Sequence, residues 1–170
     1  MDAPLKSNSG GVSVLELVIA AAMVAVIAGF VLVNYVQGHR AIVRTKTATD
    51  FATYLQKARL DSMRRRVTDI NQMAQVKVFN RKFYSVAIDA DGDGNLDAPL
   101  VLTVPAEEDV AITGPFPKMY MFDSRGLTVD SRNYPIAPEP ITVSNNAGAS
   151  AITFAENGNI TVVAALKPAK

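Results

Sequence analysis

Val12-Ser13-Val14-Leu15-Glu16-Leu17-Val18-Ile19-Ala20-Ala21-Ala22-Met23-Val24-Ala25-Val26-Ile27-Ala28-Gly29-Phe30-Val31-Leu32-Val33-Asn34-Tyr35-Val36 decides how this chain is built. Residues 17–33 are seventeen positions without a polar side chain. With its flanks the stretch reaches the roughly 20 residues that a helix needs to cross about 30 Å of hydrocarbon. Its one charge is Glu16. A bare carboxylate near the hydrocarbon of a bilayer is costly, so an acid kept there serves a function and calls for a partner.

A secretory signal peptide is the rival reading of the same residues. It needs a basic lead, an apolar run of about 7–15 residues and a small-residue cut behind that run. Here residues 1–11 carry only Lys6 against Asp2, the apolar run is longer, and the glycine pair Gly10-Gly11 stands in front of it. The reading is therefore a retained membrane helix. Charge bias does not orient it, because His39, Arg40, Arg44 and Lys46 follow the span while Lys6 precedes it.

Composition bounds the rest. Of 170 residues, those outside the N-terminal helix suffice for one small domain. Net charge is +1, from 17 basic and 16 acidic residues, so no global field draws the chain to nucleic acid or to an anionic surface. With no cysteine, disulfides, thiolate metal sites and cysteine nucleophiles are excluded.

Behind Gly38 the apolar residues become periodic. Phe51, Leu55, Ala58 and Ser62 recur at three- and four-residue spacing, with Ala41, Ala48 and Ala52 near the same face, as in an amphipathic helix. No proline falls between Pro4 and Pro99, and Arg64-Arg65-Arg66 stands where cations meet the negative end of a helix dipole. One continuous helix from about Ser13 to Arg66 is expected, with Gly29, Asn34 and Gly38 as its weak points.

After the helix the chain changes to short runs rich in Val, Ile, Thr, Phe and Tyr, separated by turn residues. Strands are expected at 75–79, 83–89, 100–104, 119–122, 141–144, 151–155 and 159–164. Their number and spacing predict a sandwich. Glu156-Asn157-Gly158-Asn159 predicts a hairpin with a two-residue primed turn, while 106–117 and 131–140 read as proline-bearing surface loops. The fold class is α+β: a long N-terminal α-helix, membrane-spanning in its first half, packed on a small antiparallel β-sandwich. The segments are 1–11, 12–36, 37–66 and 67–170: polar lead, transmembrane helix, amphipathic continuation and β-rich domain.

Gly10-Gly11-Val12-Ser13-Val14-Leu15-Glu16-Leu17 resembles the class III signal of type IV prepilins and type II secretion pseudopilins. Tyr54-Leu55-Gln56-Lys57-Ala58-Arg59-Leu60-Asp61-Ser62-Met63-Arg64-Arg65 resembles the end of the long helix in GspH/FimT-type minor pseudopilins and pilins. Phe122-Asp123-Ser124-Arg125-Gly126-Leu127 and Ile152-Thr153-Phe154-Ala155-Glu156-Asn157-Gly158-Asn159-Ile160 resemble that family's two strand-turn-glycine-strand units. The resemblance implies that residues 1–11 are a prepilin leader and that 12–36 is also a filament-core helix, with cleavage between Gly11 and Val12 by a prepilin peptidase and N-methylation of Val12. It implies that Glu16, fifth in the mature chain, pairs with the terminal amine of a neighbouring subunit. It further implies a structural subunit of a secretion pseudopilus or type IV pilus, acting in assembly initiation or at the tip. Such a subunit waits in the inner membrane as a single-pass protein with its C-terminal domain periplasmic or extracellular. Its partners are other pilins or pseudopilins, met through the N-terminal helix.

Three constellations invite chemistry. Asp89-Ala90-Asp91-Gly92-Asp93-Gly94-Asn95-Leu96-Asp97 has the spacing of the first half of an EF-hand loop, with oxygens at positions one, three, five and nine and a glycine at six. Position twelve is Leu100, so the bidentate carboxylate is missing and calcium at Asp89, Asp91, Asp93 and Asp97 would be weak. The alternative is a polar turn. Arg64-Arg65-Arg66 with Lys57, Arg59, Lys77, Arg81 and Lys82 could form a DNA-binding patch, as in minor pilins for DNA uptake; the plainer reading is a solvated helix end. For an enzyme the material is thin: one histidine, His39, and no nucleophile elbow or phosphate loop. The expectation is a structural subunit, no catalyst, with no cofactor required.

Overall fold

The computed structural model describes residues 13–155 and 157–166. The Gly11 and Val12 junction lies outside the described residues. Helix α1 covers Val14–Arg65, within a residue of the expected limits at each end. Ser13 caps its start, accepting the Leu17 N–H on its carbonyl at 3.1 Å and the Leu15 N–H on Oγ at 3.3 Å. Its end is made by Arg66, which takes φ +51, so that the Val67 N–H folds back to the Ser62 carbonyl at 3.4 Å. That is a left-handed helix cap built without glycine.

Packing divides the chain into Met1–Gln37 and Gly38–Lys170. In the first unit every described residue is exposed, and α1 is long and apolar enough there to cross a membrane.

The second unit holds residues 38–65 of α1 and nine strands: β1 (Gln75–Val78), β2 (Phe83–Ala87), β3 (Leu100–Thr103), β4 (Ala111–Thr113), β5 (Lys118–Phe122), β6 (Thr128–Val129), β7 (Ile141–Asn145), β8 (Gly148–Phe154) and β9 (Ile160–Leu166). They form two antiparallel sheets, β3-β2-β1-β5-β6 and β4-β7-β8-β9. The register alternates as a pleat requires. Val76 and Val78 face inward and pair with Val86 and Tyr84, while Gln75 and Lys77 lie on the opposite face.

One core joins the helix stripe to both sheets. Phe51, Leu55 and Ala58 meet Val76, Val86 and Phe122 of the first sheet and Ile112, Val143 and Ile152 of the second. The Phe51 ring stands edge-on to Tyr84 at 4.9 Å. Burying a side chain such as Phe51 contributes roughly 1.5–3 kcal/mol. A smaller cluster gathers Met73, Met121 and Val129 under Val67 and Ile70, just beyond the helix.

Three sequence expectations need correction. The stretch 106–117 is not one loop: it contains a short 3-10 turn (Glu107–Asp109) and strand β4. Strand β6 follows the Asp123 turn and has only two residues. The hairpin at Asn157-Gly158 is real, but the Gly158 N–H bonds the Ala155 carbonyl at 2.8 Å and the Ala155 N–H bonds the Asn159 carbonyl at 2.8 Å. This is a three-residue loop with Gly158 at φ +76, in place of a two-residue primed turn.

Candidate functional site

Glu16 sits in the first turn of α1 with its neighbours fully exposed, and among the described residues it makes no ion pair. Its position suits the helix dipole. The ring of Val14, Leu15, Leu17 and Val18 around it is 60–80% exposed. That is an apolar surface with one acid on it, of the kind lipid or other helices cover.

In the Gly38–Lys170 unit several charged residues pair with one another at the end of the helix. Asp61 is buried and accepts from Arg65 Nη2 at 2.6 Å, from Arg65 Nε at 2.9 Å and from Arg64 Nη2 at 3.0 Å. Arg64 also donates to Asp89 Oδ2 at 2.9 Å and to the Asp89 carbonyl at 2.9 Å. The helix end is thus pinned to the aspartate loop by an ion cluster in which Asp61, Asp89 and the Arg65 side chain are buried while Arg64 is 56% exposed. The solvated-cation reading is corrected for Arg65, whose side chain is buried, while Arg64 stays exposed and is ion-paired on one side. A water-excluded carboxylate demands such partners.

The aspartate loop uses its carboxylates inwardly. Asp89 accepts from the Gly92 N–H at 2.6 Å and the Gly94 N–H at 3.2 Å, Asp97 from the Ala90 N–H at 2.7 Å, Asp91 from Asp93, and Asp93 from both nitrogens of Asn95. Burial works against ionised Asp89, yet the Gly92 and Gly94 amides with the Arg64 and Arg65 guanidinium groups hold its pKa below the usual carboxylate range. Carboxylate oxygens of Asp89, Asp91 and Asp97 come within 4.8 Å of one another, and Asp93 is outside that group. An ion at EF-hand position one would compete with two guanidinium groups for Asp89. The donors suit a self-bonded turn better than a calcium loop.

Arg59, which the sequence places in the helix-end motif and in the candidate basic patch, joins two turns. Its Nε donates to the Gly126 carbonyl at 3.0 Å and its Nη2 to the Asn157 carbonyl at 3.1 Å. The two glycine turns, 123–126 and 155–158, therefore meet under one helix side chain. A Cβ on Gly158 would run into the Gly126 carbonyl, and one on Gly126 would stand 2.6 Å from Met63 Sδ. Glycine is needed in both turns for this close approach as well as for φ.

Two further contacts escaped the sequence reading. Glu108, at φ +58, accepts from Arg40 Nε at 2.7 Å and lies 3.3 Å from His39 Nδ1. The Arg40 and His39 hydrogen bonds lower its pKa against a smaller opposing effect of burial. Arg44 is buried with its Nε on Ser150 Oγ at 3.1 Å and its Nη1 unpartnered. A charge at a core-facing helix position carries no sequence signal except its phase with Ala48 and Phe51.

Compared with known proteins, the chain matches no family model, no curated protein and no solved structure.

Proposed function

We propose that this chain is a minor structural subunit of a type II secretion pseudopilus or type IV pilus, held in the inner membrane by residues 14–37 before it enters a filament. One observation carries the reading: this helical segment is exposed on every side, without a polar side chain from residue 17 to 33, and its one charge is the carboxylate of Glu16, which makes no ion pair among the described residues. Such a surface is stable in lipid or against other apolar helices and not in water. A carboxylate five residues from a freed amino terminus would supply the charge partner in the helical core. A misplaced subunit leaves that charge buried and unpaired, at a cost of about 3–5 kcal/mol. Glu16 then sets axial register, and the Gly38–Lys170 unit is the part presented outside the core.

The test is processing. Expressed with a prepilin peptidase, the mature chain is expected to begin at N-methylated Val12 by mass spectrometry, and Gly11→Ala to abolish the shift. Glu16→Val is expected to insert in the membrane and fail to enter filaments. Assembled protein that retains Met1 refutes the reading.

A further inference from the structure

The β3 edge is an unfilled strand position. The Val104 N–H donates to the Lys82 carbonyl at 2.7 Å, and antiparallel alternation then turns Leu100 and Leu102 toward β2 as well. The backbone groups of Val101 and Thr103 point away from the sheet. Two of the other edges are covered from within: Ile136 donates to the Thr128 carbonyl beside β6, and Ile112 of β4 donates to the Arg81 carbonyl, whereas β9 is an edge like β3. Pro99-Leu100-Val101-Leu102-Thr103-Val104-Pro105 has no charge, and Val101 is 60% exposed. A bare, uncharged edge is a template for another strand.

Beside this edge lies a cavity of about 420 Å³ between β3 and the flank of α1, walled by Asp50, Thr53, Tyr54, Lys57, Tyr84 and Thr103. The ion pairs of Arg64 with Asp89 and of Arg40 with Glu108 fix the direction: β3 starts near the end of α1 and finishes near residue 40. A strand antiparallel to β3 would therefore begin beside Asp50, which makes no ion pair among the described residues, and finish beside Lys57, whose ammonium lies over Tyr54 at 5.3 Å. Seven helical residues separate these charges, about 10 Å; residues four apart on a strand share a face and lie about 13 Å apart, close enough for their side chains to reach both charges.

We propose that the β3 edge binds an extended segment of a different subunit, antiparallel to β3, with a basic residue leading at Asp50 and an acidic residue trailing at Lys57. A second copy pairing β3 to β3 does not fit, because Pro99–Pro105 carries no charge to offer Asp50 or Lys57.

The probe is a dye-labelled peptide, GGKVTVEGG, titrated against the full chain in detergent micelles by fluorescence anisotropy. Saturable binding is expected, weaker by at least about fivefold for GGEVTVKGG. Val101→Pro combined with Thr103→Pro removes only outward N–H groups, a change that edge strands tolerate. It is expected to abolish binding while leaving the circular dichroism spectrum unchanged. Equal affinity for the two peptides, absence of binding, or binding that survives in the folded double variant overturns the proposal. So does sedimentation showing a dimer that this variant converts to monomer, because the occupant is then a second copy. Peptide binding does not depend on cleavage at Gly11, so a failed processing experiment and a failed titration are distinguishable.

Discussion

The two halves of α1 have the same backbone and opposite solvents. Residues 14–37 are exposed on every face and, from 17 to 33, apolar on every face, while residues 38–65 bury only a stripe running from Arg44 through Thr47, Ala48, Phe51, Leu55 and Ala58 to Ser62. In the second half, tertiary packing supplies stability that the short i,i+4 contacts of a lone helix do not. In the first half no described residue is buried to supply it. A helix that continues unbroken from a packed domain into an unpacked apolar surface has a surface made for another environment, and Glu16 is the one group on it with a charge to satisfy.

Substituting one phenylalanine in each half breaks the comparison if it is wrong. Phe51→Ala should destabilise the β-rich unit by about 3–5 kcal/mol, because the ring is fully buried against both sheets and the site cannot collapse. Phe30→Ala, at an exposed position, should move the same transition by less than about 0.5 kcal/mol. Denaturant unfolding of the full chain in micelles, followed by near-ultraviolet circular dichroism, measures both. Comparable losses would mean that residues 14–37 pack on something within the chain.

A smaller effect sharpens the account of the second half. Gly158→Ala should cost about 2 kcal/mol, combining a left-handed backbone with a clash on the Gly126 carbonyl. Gly94→Ala has a similar φ of +91 and open space around its Cβ, so about 1 kcal/mol is expected there. A Gly158 loss no larger than the Gly94 loss would separate the two turns that Arg59 is described as joining.

What the sequence disclosed follows from the same contrast. Apolar periodicity is a direct image of burial, so the helix limits, its stripe and most strands could be read from it. The helix-end cations were assigned to solvent by the same logic, and that failed at Arg65, buried on Asp61 one helical turn away; the burial of Arg44 and Asp61 left no sign in the sequence beyond the helical phase of Arg44. The three residues of β4 and two of β6 are too short for a period to show, and their pairing is decided by β7 and β5. In the Asp89–Asp97 region the spacing was legible. The guanidinium groups that occupy it were not, because they come from a helix end 25 residues away.

That loop gives the smallest expected effect and the one where turn and metal site make opposite claims. Ionised Asp89 stabilises the fold, since its pKa is held below its unfolded value of about 3.9. A depressed carboxylate contributes stability that is fully present above the unfolded pKa and is lost as pH falls through the folded one. Asp89→Asn should therefore lower the thermal midpoint at pH 7 and flatten its decline below about pH 4. Asp91→Asn with Asp93→Asn should leave the midpoint nearly unchanged, because those oxygens accept only from Asp93 and Asn95 and an asparagine oxygen accepts equally well. Calcium distinguishes the readings. A site for it would raise the wild-type midpoint by RT ln(1 + [L]/Kd), roughly 0.4 kcal/mol when the concentration equals Kd, and the double variant would erase that response. With Asp89 already shared between two amides and two guanidinium groups, no shift is expected up to several millimolar calcium. A calcium-dependent rise abolished by the Asp91 and Asp93 changes would return the loop to the metal reading, with Arg64 displaced from Asp89 by the ion.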